Sequence, residues 1–242
     1  MSKAPDSSGS PSTRVAKARR LAAQGLRAQK DPSKASGMQA YMKTDMPFYG
    51  VQKTGRVDIL RRLVGELAPA DRVEYEAIVL GLWDLPHREE KYLAIGYARH
   101  FDVFVVPESI PLYRRLIVEG AWWDFVDEVA TKLIRFLIVE DPADTWPTID
   151  TWIDDEDMWL RRSAILCQIG AKEQTDSDRL FGFCARRAFE EEFFIRKAIG
   201  WALREHAKVD PVAVARFVAR HREELSRLSY REATKHIGHL LS

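Results

Sequence analysis

Trp122-Trp123-Asp124-Phe125-Val126-Asp127 lies midway along a chain of 242 residues. Read as the start of a helix over 122–139, it places Trp123 and Asp127 four residues apart on one face. An indole beside a carboxylate suits a flat, cationic ligand. Taken alone, the same residues suit better a buried tryptophan pair whose aspartates cap or solvate the helix start.

Outward from this stretch, apolar residues recur with helical spacing almost everywhere. Toward the N-terminus the pattern predicts helices over 13–29, 38–43, 56–67, 70–83, 87–102 and 107–119. Toward the C-terminus it predicts 142–153, 157–170, 176–189, 192–208, 210–221 and 229–241. Starts led by Pro or Asp recur (Pro107, Asp141-Pro142, Asp210-Pro211), as the first turn of a helix favours. The one period-two candidate, Val103-Phe104-Val105-Val106, is short and stops at Pro107. The chain reads as all-α. Trp83, Trp123, Trp159 and Trp201 follow one another at 40, 36 and 42 residues. That spacing suits paired-helix repeats, and a non-repeating bundle with evenly spaced tryptophans is the alternative. Residues 1–12, rich in Ser, Pro and Gly, read as a disordered tail ahead of a single domain over 13–242.

Composition narrows the class. With 46% hydrophobic and 30% charged residues the chain is that of a globular protein. No apolar run approaches the roughly 20 residues of a membrane span. Cys167 and Cys184 lie in apolar helical surroundings, which suggests buried thiols and a reducing, cytoplasmic compartment. No Cys/His spacing suggests a metal site, and no cofactor is expected. The net charge of +1 hides an asymmetry: residues 1–37 carry eight basic and two acidic side chains, the remainder 29 basic and 34 acidic. A nucleic-acid binder with that balance must gather its cations on one surface.

Two further stretches bear on that surface. In Trp159-Leu160-Arg161-Arg162-Ser163-Ala164-Ile165-Leu166, Leu160 and Ala164 share a stripe with Cys167. Arg162 lies roughly opposite, near a helix start where a cation opposes the macrodipole, a misplacement that binding to phosphate would offset; an ordinary solvated arginine is the alternative. In the second, running from Phe193 to Lys208, Lys197, Trp201, Arg204 and Lys208 recur at intervals of four, three and four and form one ridge. An indole among cations fits a groove in which cations meet phosphates and the ring meets a sugar or base.

Together with Met38-Gln39-Ala40-Tyr41-Met42-Lys43, Gly50-Val51-Gln52, Leu82-Trp83-Asp84-Leu85-Pro86-His87-Arg88-Glu89 and Leu228-Ser229-Tyr230-Arg231-Glu232-Ala233, these stretches resemble the AlkD family of DNA alkylation-repair glycosylases over nearly the whole chain from Arg14. The resemblance implies a HEAT-like α-α superhelix, a C-shaped solenoid of antiparallel helix pairs. It implies a monomer acting without cofactor on double-stranded DNA containing alkylated bases, nucleoid-associated when bound, and no membrane partner. Trp123 and Asp127 match the family's tryptophan and catalytic aspartate, Arg162 its arginine and Trp201 its second cleft tryptophan. Concave placement of these four is the corresponding expectation. Gln52, Lys53, Arg61, Lys197, Arg204 and Lys208 are the expected DNA contacts. Lys53-Thr54-Gly55-Arg56-Val57 departs from the family pattern, lacking its Thr-Pro and paired arginines, so phosphate contacts there do not transfer residue by residue.

The implied chemistry is excision of cationic N3-methyladenine and N7-methylguanine. Asp127 would stabilise the sugar oxocarbenium and orient water, Trp123 and Trp201 would flank the nucleotide, and Arg162 would hold a phosphate. The family works on a lesion that stays within the duplex. Two other classes remain open on the residues alone: a non-catalytic module for distorted or branched DNA, and a protein-binding scaffold.

Overall fold

The structure, a computed structural model, describes residues 11–241. The expected tail over 1–12 falls largely outside that range, and Pro11 already opens the first helix. Every regular element among the described residues is helical. None of the helices is long and apolar enough to cross a membrane. The elements form two compact units, 1–105 and 106–242, so the single domain expected over 13–242 is described unit by unit.

The first unit contains α1 (Pro11–Ala28), α2 (Pro32–Met42), α3 (Lys53–Glu66), α4 (Arg72–Trp83) and α5 (Arg88–His100). Ala18, Ala22 and Leu26, at four-residue spacing on α1, are completely buried. α1 packs against α3 and α4, and α5 packs against both of those. Burial of side chains such as Leu26, Leu63 and Leu82 contributes about 1.5–3 kcal/mol each.

The turn that leads into α3 has an internal brace. The buried Glu89 carboxylate accepts N–H bonds from Tyr49 (3.1 Å), Gly50 (2.8 Å) and Val51 (3.0 Å). Three backbone donors replace the water that a buried carboxylate loses. Gly50 sits at φ +87°, and a Cβ there would lie 2.0 Å from the Asp31 carbonyl oxygen, so the turn requires glycine. Val103–Val106 is not a strand: a 3₁₀ turn, Asp102–Phe104, occupies it.

The second unit begins with a 3₁₀ turn at Pro107–Ser109, so α6 (Ile110–Gly120) starts three residues later than its proline suggested. Ala121 in the left-handed region ends α6, and extended Trp122 restarts the chain as the N-cap of α7 (Trp123–Glu128). A π-helical turn, Val129–Ile134, joins α7 to α8 (Arg135–Glu140), within the stretch expected as one helix over 122–139. Such turns insert an extra residue into the hydrogen-bond ladder and often lie at functional positions. α9 (Pro142–Trp152), α10 (Met158–Leu166), α11 (Ser177–Arg186), α12 (Phe193–His206), α13 (Pro211–Arg220) and α14 (Arg227–Ala233) follow. Asp157, Asp176, Asp210 and Ser226 cap α10, α11, α13 and α14 through side-chain oxygens.

α10 lies against α9, α11 and α12, and α12 lies against α11, α13 and α14. Within the second unit the closest packing joins helices two apart in the chain, α10 with α12 and α12 with α14. The fold is an all-α helical-repeat array. The evenly spaced tryptophans serve unlike roles in it. Trp83 and Trp159 are core residues, whereas Trp123 and Trp201 are partly exposed.

Candidate active site

The second unit assembles the site from three helices. Asp127 lies one position before the end of α7, and its main-chain oxygen accepts the Thr131 hydroxyl at 2.7 Å within the π turn. Arg162 is the fifth residue of α10, and Phe194 is the second of α12.

Arg162 grips Asp127 through a two-pronged ion pair. Its Nε donates to Oδ1 and its Nη2 to Oδ2, both at 2.8 Å, and its Nη1 donates to the Phe194 carbonyl at 2.5 Å. The planar fork matches the carboxylate, so the pair fixes the orientation of the acid as well as its charge. The Phe194 ring centre lies 5.7 Å from the guanidinium carbon. Phe194 also contacts Trp159 (4.9 Å between ring centres), Trp122 (5.4 Å) and Phe193 (5.4 Å). The Trp122 indole N–H is buried without a hydrogen-bond partner, which marks how dry this aromatic wall is.

This environment pulls Asp127 in two directions. Burial raises its pKa above the ordinary carboxylate value, hydrogen bonding and charge from Arg162 lower it, and Asp124 and Glu128 raise it again. The net direction is upward. The Asp127 side chain keeps 16% of its surface exposed, against 5% for Arg162, so the acid is not sealed from solvent. Arg162 uses one acceptor site on each carboxylate oxygen, and two further sites remain.

The expected site residues sort unevenly. Asp127 and Arg162 are brought together. Trp123 is partly exposed one helical turn before Asp127 on the same face. Trp201 is partly exposed on α12, two turns beyond Phe194 and on nearly the same side of that helix. Arg162 differs from its expected role at a phosphate. It is 4% exposed, and its guanidinium is directed onto Asp127 and a carbonyl, so it holds the acid. The signal missed in the sequence was Phe193-Phe194, whose second residue supplies both that carbonyl and a ring against Arg162.

The cationic ridge on α12 is only partly free. Lys197 (3.2 Å) and Arg204 both bond to Glu232 of α14, while exposed Lys208 bonds to Glu205 at 2.6 Å. In the first unit Gln52 and Lys53 are exposed at the start of α3, and Gln52 makes no side-chain cap bond. Arg61 is exposed and paired with Asp58 at 2.7 Å. Among the described residues, no group of three or more His, Cys, Asp or Glu side chains is placed to hold a metal ion.

A family model described as DNA alkylation repair enzyme matches residues 22–237. The chain belongs to the DNA alkylation repair enzyme family. Among solved structures, it is similar to one from Enterococcus faecalis described as a predicted DNA alkylation repair enzyme. The TM-score is 0.75 and the identity 30%, over 86% of this chain and 96% of that one. No curated protein matches the chain. The Asp127–Arg162 pair and its aromatic wall lie within the residues that the family model matches.

Proposed function

We propose that this DNA alkylation repair family member is a DNA glycosylase that releases N3- and N7-alkylated purines from duplex DNA. The observation that carries the reading is the Asp127 carboxylate, oriented by an Arg162 that lies against an aromatic wall and left partly exposed.

An N3- or N7-alkylated purine is already a cation, so it departs without prior protonation. The C1′–N9 bond breaks with its electron pair passing to the base, which leaves neutral. Positive charge moves to the deoxyribose, spread over C1′ and the ring oxygen. Asp127 supplies the anion for that charge, and a free acceptor site on the carboxylate orients a water toward C1′. Water adds, its proton passes to the carboxylate or to solvent, and an abasic sugar remains. Trp123 and Trp201 present indole faces to the cationic nucleotide. Gln52, Lys53, Arg61, Lys197, Arg204 and Lys208 supply the phosphate contacts, double-stranded DNA is the partner, and the protein acts as a monomer.

A second reading draws on the same ion pair. A buried Arg–Asp pair can serve only to join α7 to α10, leaving a module that binds damaged duplex without cutting it. Base release separates the two. Duplexes carrying N7-methylguanine or N3-methyladenine should lose the base in the presence of the protein. Those carrying uracil or hypoxanthine, neutral bases that need an acid, should remain intact. Salt-sensitive binding without release would favour the second reading. Efficient release of uracil would require an acid that this site does not supply.

A further inference from the structure

Glu232 of α14 accepts from two cations of the α12 ridge, Lys197 and Arg204. The two stand seven residues, about two turns, apart on the same side of α12, and both donate to this one carboxylate. The carboxylate is held below the ordinary range even though burial opposes this, through its hydrogen bond to Lys197 and the charges of Lys197, Arg204 and Lys235. It is an anion bound by cations that the proposed function assigns to DNA.

Its role in holding α14 to α12 is small by comparison. Gly200 brings the helices into backbone contact, since a Cβ there would lie 2.6 Å from the Glu232 Cβ and 3.1 Å from the Ser229 carbonyl oxygen. The Ser229 hydroxyl donates to the Arg196 carbonyl at 3.0 Å, and Ala233 is fully buried. The ion pairs, in contrast, are accessible. Side-chain exposure is 39% for Lys197, 22% for Arg204 and 19% for Glu232. Arg14–Glu74, a pair that joins helices in the first unit, is exposed by 9% and 6%. Solvent screens these pairs more than it screens Arg14–Glu74, so less of the α12–α14 packing rests on them.

We propose that Glu232 is an internal phosphate surrogate, competing with the DNA backbone for Lys197 and Arg204 and so weakening attachment to undamaged duplex. The inference rests on the DNA-binding reading above. It makes Glu232 a determinant of specificity rather than of chemistry. With Glu232 ionised, the cluster of three presents one net positive charge; with a neutral residue it presents two.

The test is equilibrium binding of a short undamaged duplex to wild type and Glu232→Gln across a salt series, with each variant's melting recorded. Freeing one cation should tighten binding roughly five- to tenfold near ~0.1 M salt and steepen the log–log salt slope by about 0.9. Arg204→Ala should weaken binding more in the Glu232→Gln background than in wild type. If Glu232→Gln melts early, Glu232→Asp, which keeps the charge but withdraws it by one methylene, should also bind more tightly. Wild type that binds with salt dependence beside variants of unchanged or weaker affinity would overturn this inference and leave the DNA reading intact. Wild type that shows no salt-dependent binding would overturn the DNA reading itself, and this inference with it.

Discussion

Asp127→Asn should reduce single-turnover release of N7-methylguanine by roughly 10²–10³-fold, the scale on which removal of one preorganised electrostatic group acts. Asparagine keeps the shape and one acceptor for Arg162, but it turns an amide N–H toward the other guanidinium donor. A drop in melting temperature should accompany the lost activity and is measured alongside it. Duplex affinity should hold or rise, because a carboxylate beside phosphates does not favour binding. A variant as fast as wild type would reduce Asp127 to half of a structural ion pair.

Arg162→Ala should have the largest effect on stability. It removes the partner from a carboxylate that is mostly buried, and an uncompensated charge of that kind costs about 3–5 kcal/mol. The effect has a defined dependence on pH. Burial already raises the Asp127 pKa, and Arg162 is the principal group opposing that rise. Without Arg162 the pKa climbs further. An acid whose folded pKa is raised adds stability when protonated, and that stability is lost as pH rises through the folded pKa. The destabilisation should be greatest near neutrality and shrink as pH falls and Asp127 takes up a proton. Residual base release should show its acid limb at higher pH than wild type, because the reaction needs the anion. Denaturant melts across pH, paired with the pH–rate profile, check both. A destabilisation independent of pH, with an unmoved acid limb, would show that Arg162 supports packing and not the charge state of Asp127.

Much of the fold was legible because its helices are amphipathic at ordinary helical spacing. The stretches expected over 142–153, 192–208 and 210–221 are helices at Pro142–Trp152, Phe193–His206 and Pro211–Arg220. Proline in the first turn placed the starts of the first and last of these, since it suits only that end of a helix. What stayed hidden depends on partners distant along the chain. The π turn after Asp127 leaves the apolar pattern almost unchanged, so periodicity does not announce it. Asp127 and Arg162 were both singled out, yet their mutual grip spans 35 residues and no spacing rule encodes it. Arg162 looked like an outward cation because its helix stripe faces away from Leu160 and Ala164. In the structure that side is covered by α7 and the start of α12, and the guanidinium is buried there. Three of the four evenly spaced ridge residues lie on α12, Lys208 falling just past its end, but the acid that occupies two of its cations comes from α14.

On the proposed mechanism, Asp127 recognises positive charge on the sugar. Binding of two abasic-site analogues tests it most directly. One duplex carries a pyrrolidine that is protonated at neutral pH and imitates the oxocarbenium; the other carries a neutral tetrahydrofuran of the same shape. A catalyst complementary to its transition state binds the charged analogue more tightly. Wild type should prefer the pyrrolidine duplex by at least about tenfold, and Asp127→Asn should lose that preference while binding the neutral duplex as before. Equal affinity of wild type for the two duplexes, or a preference that survives in Asp127→Asn, would contradict the account.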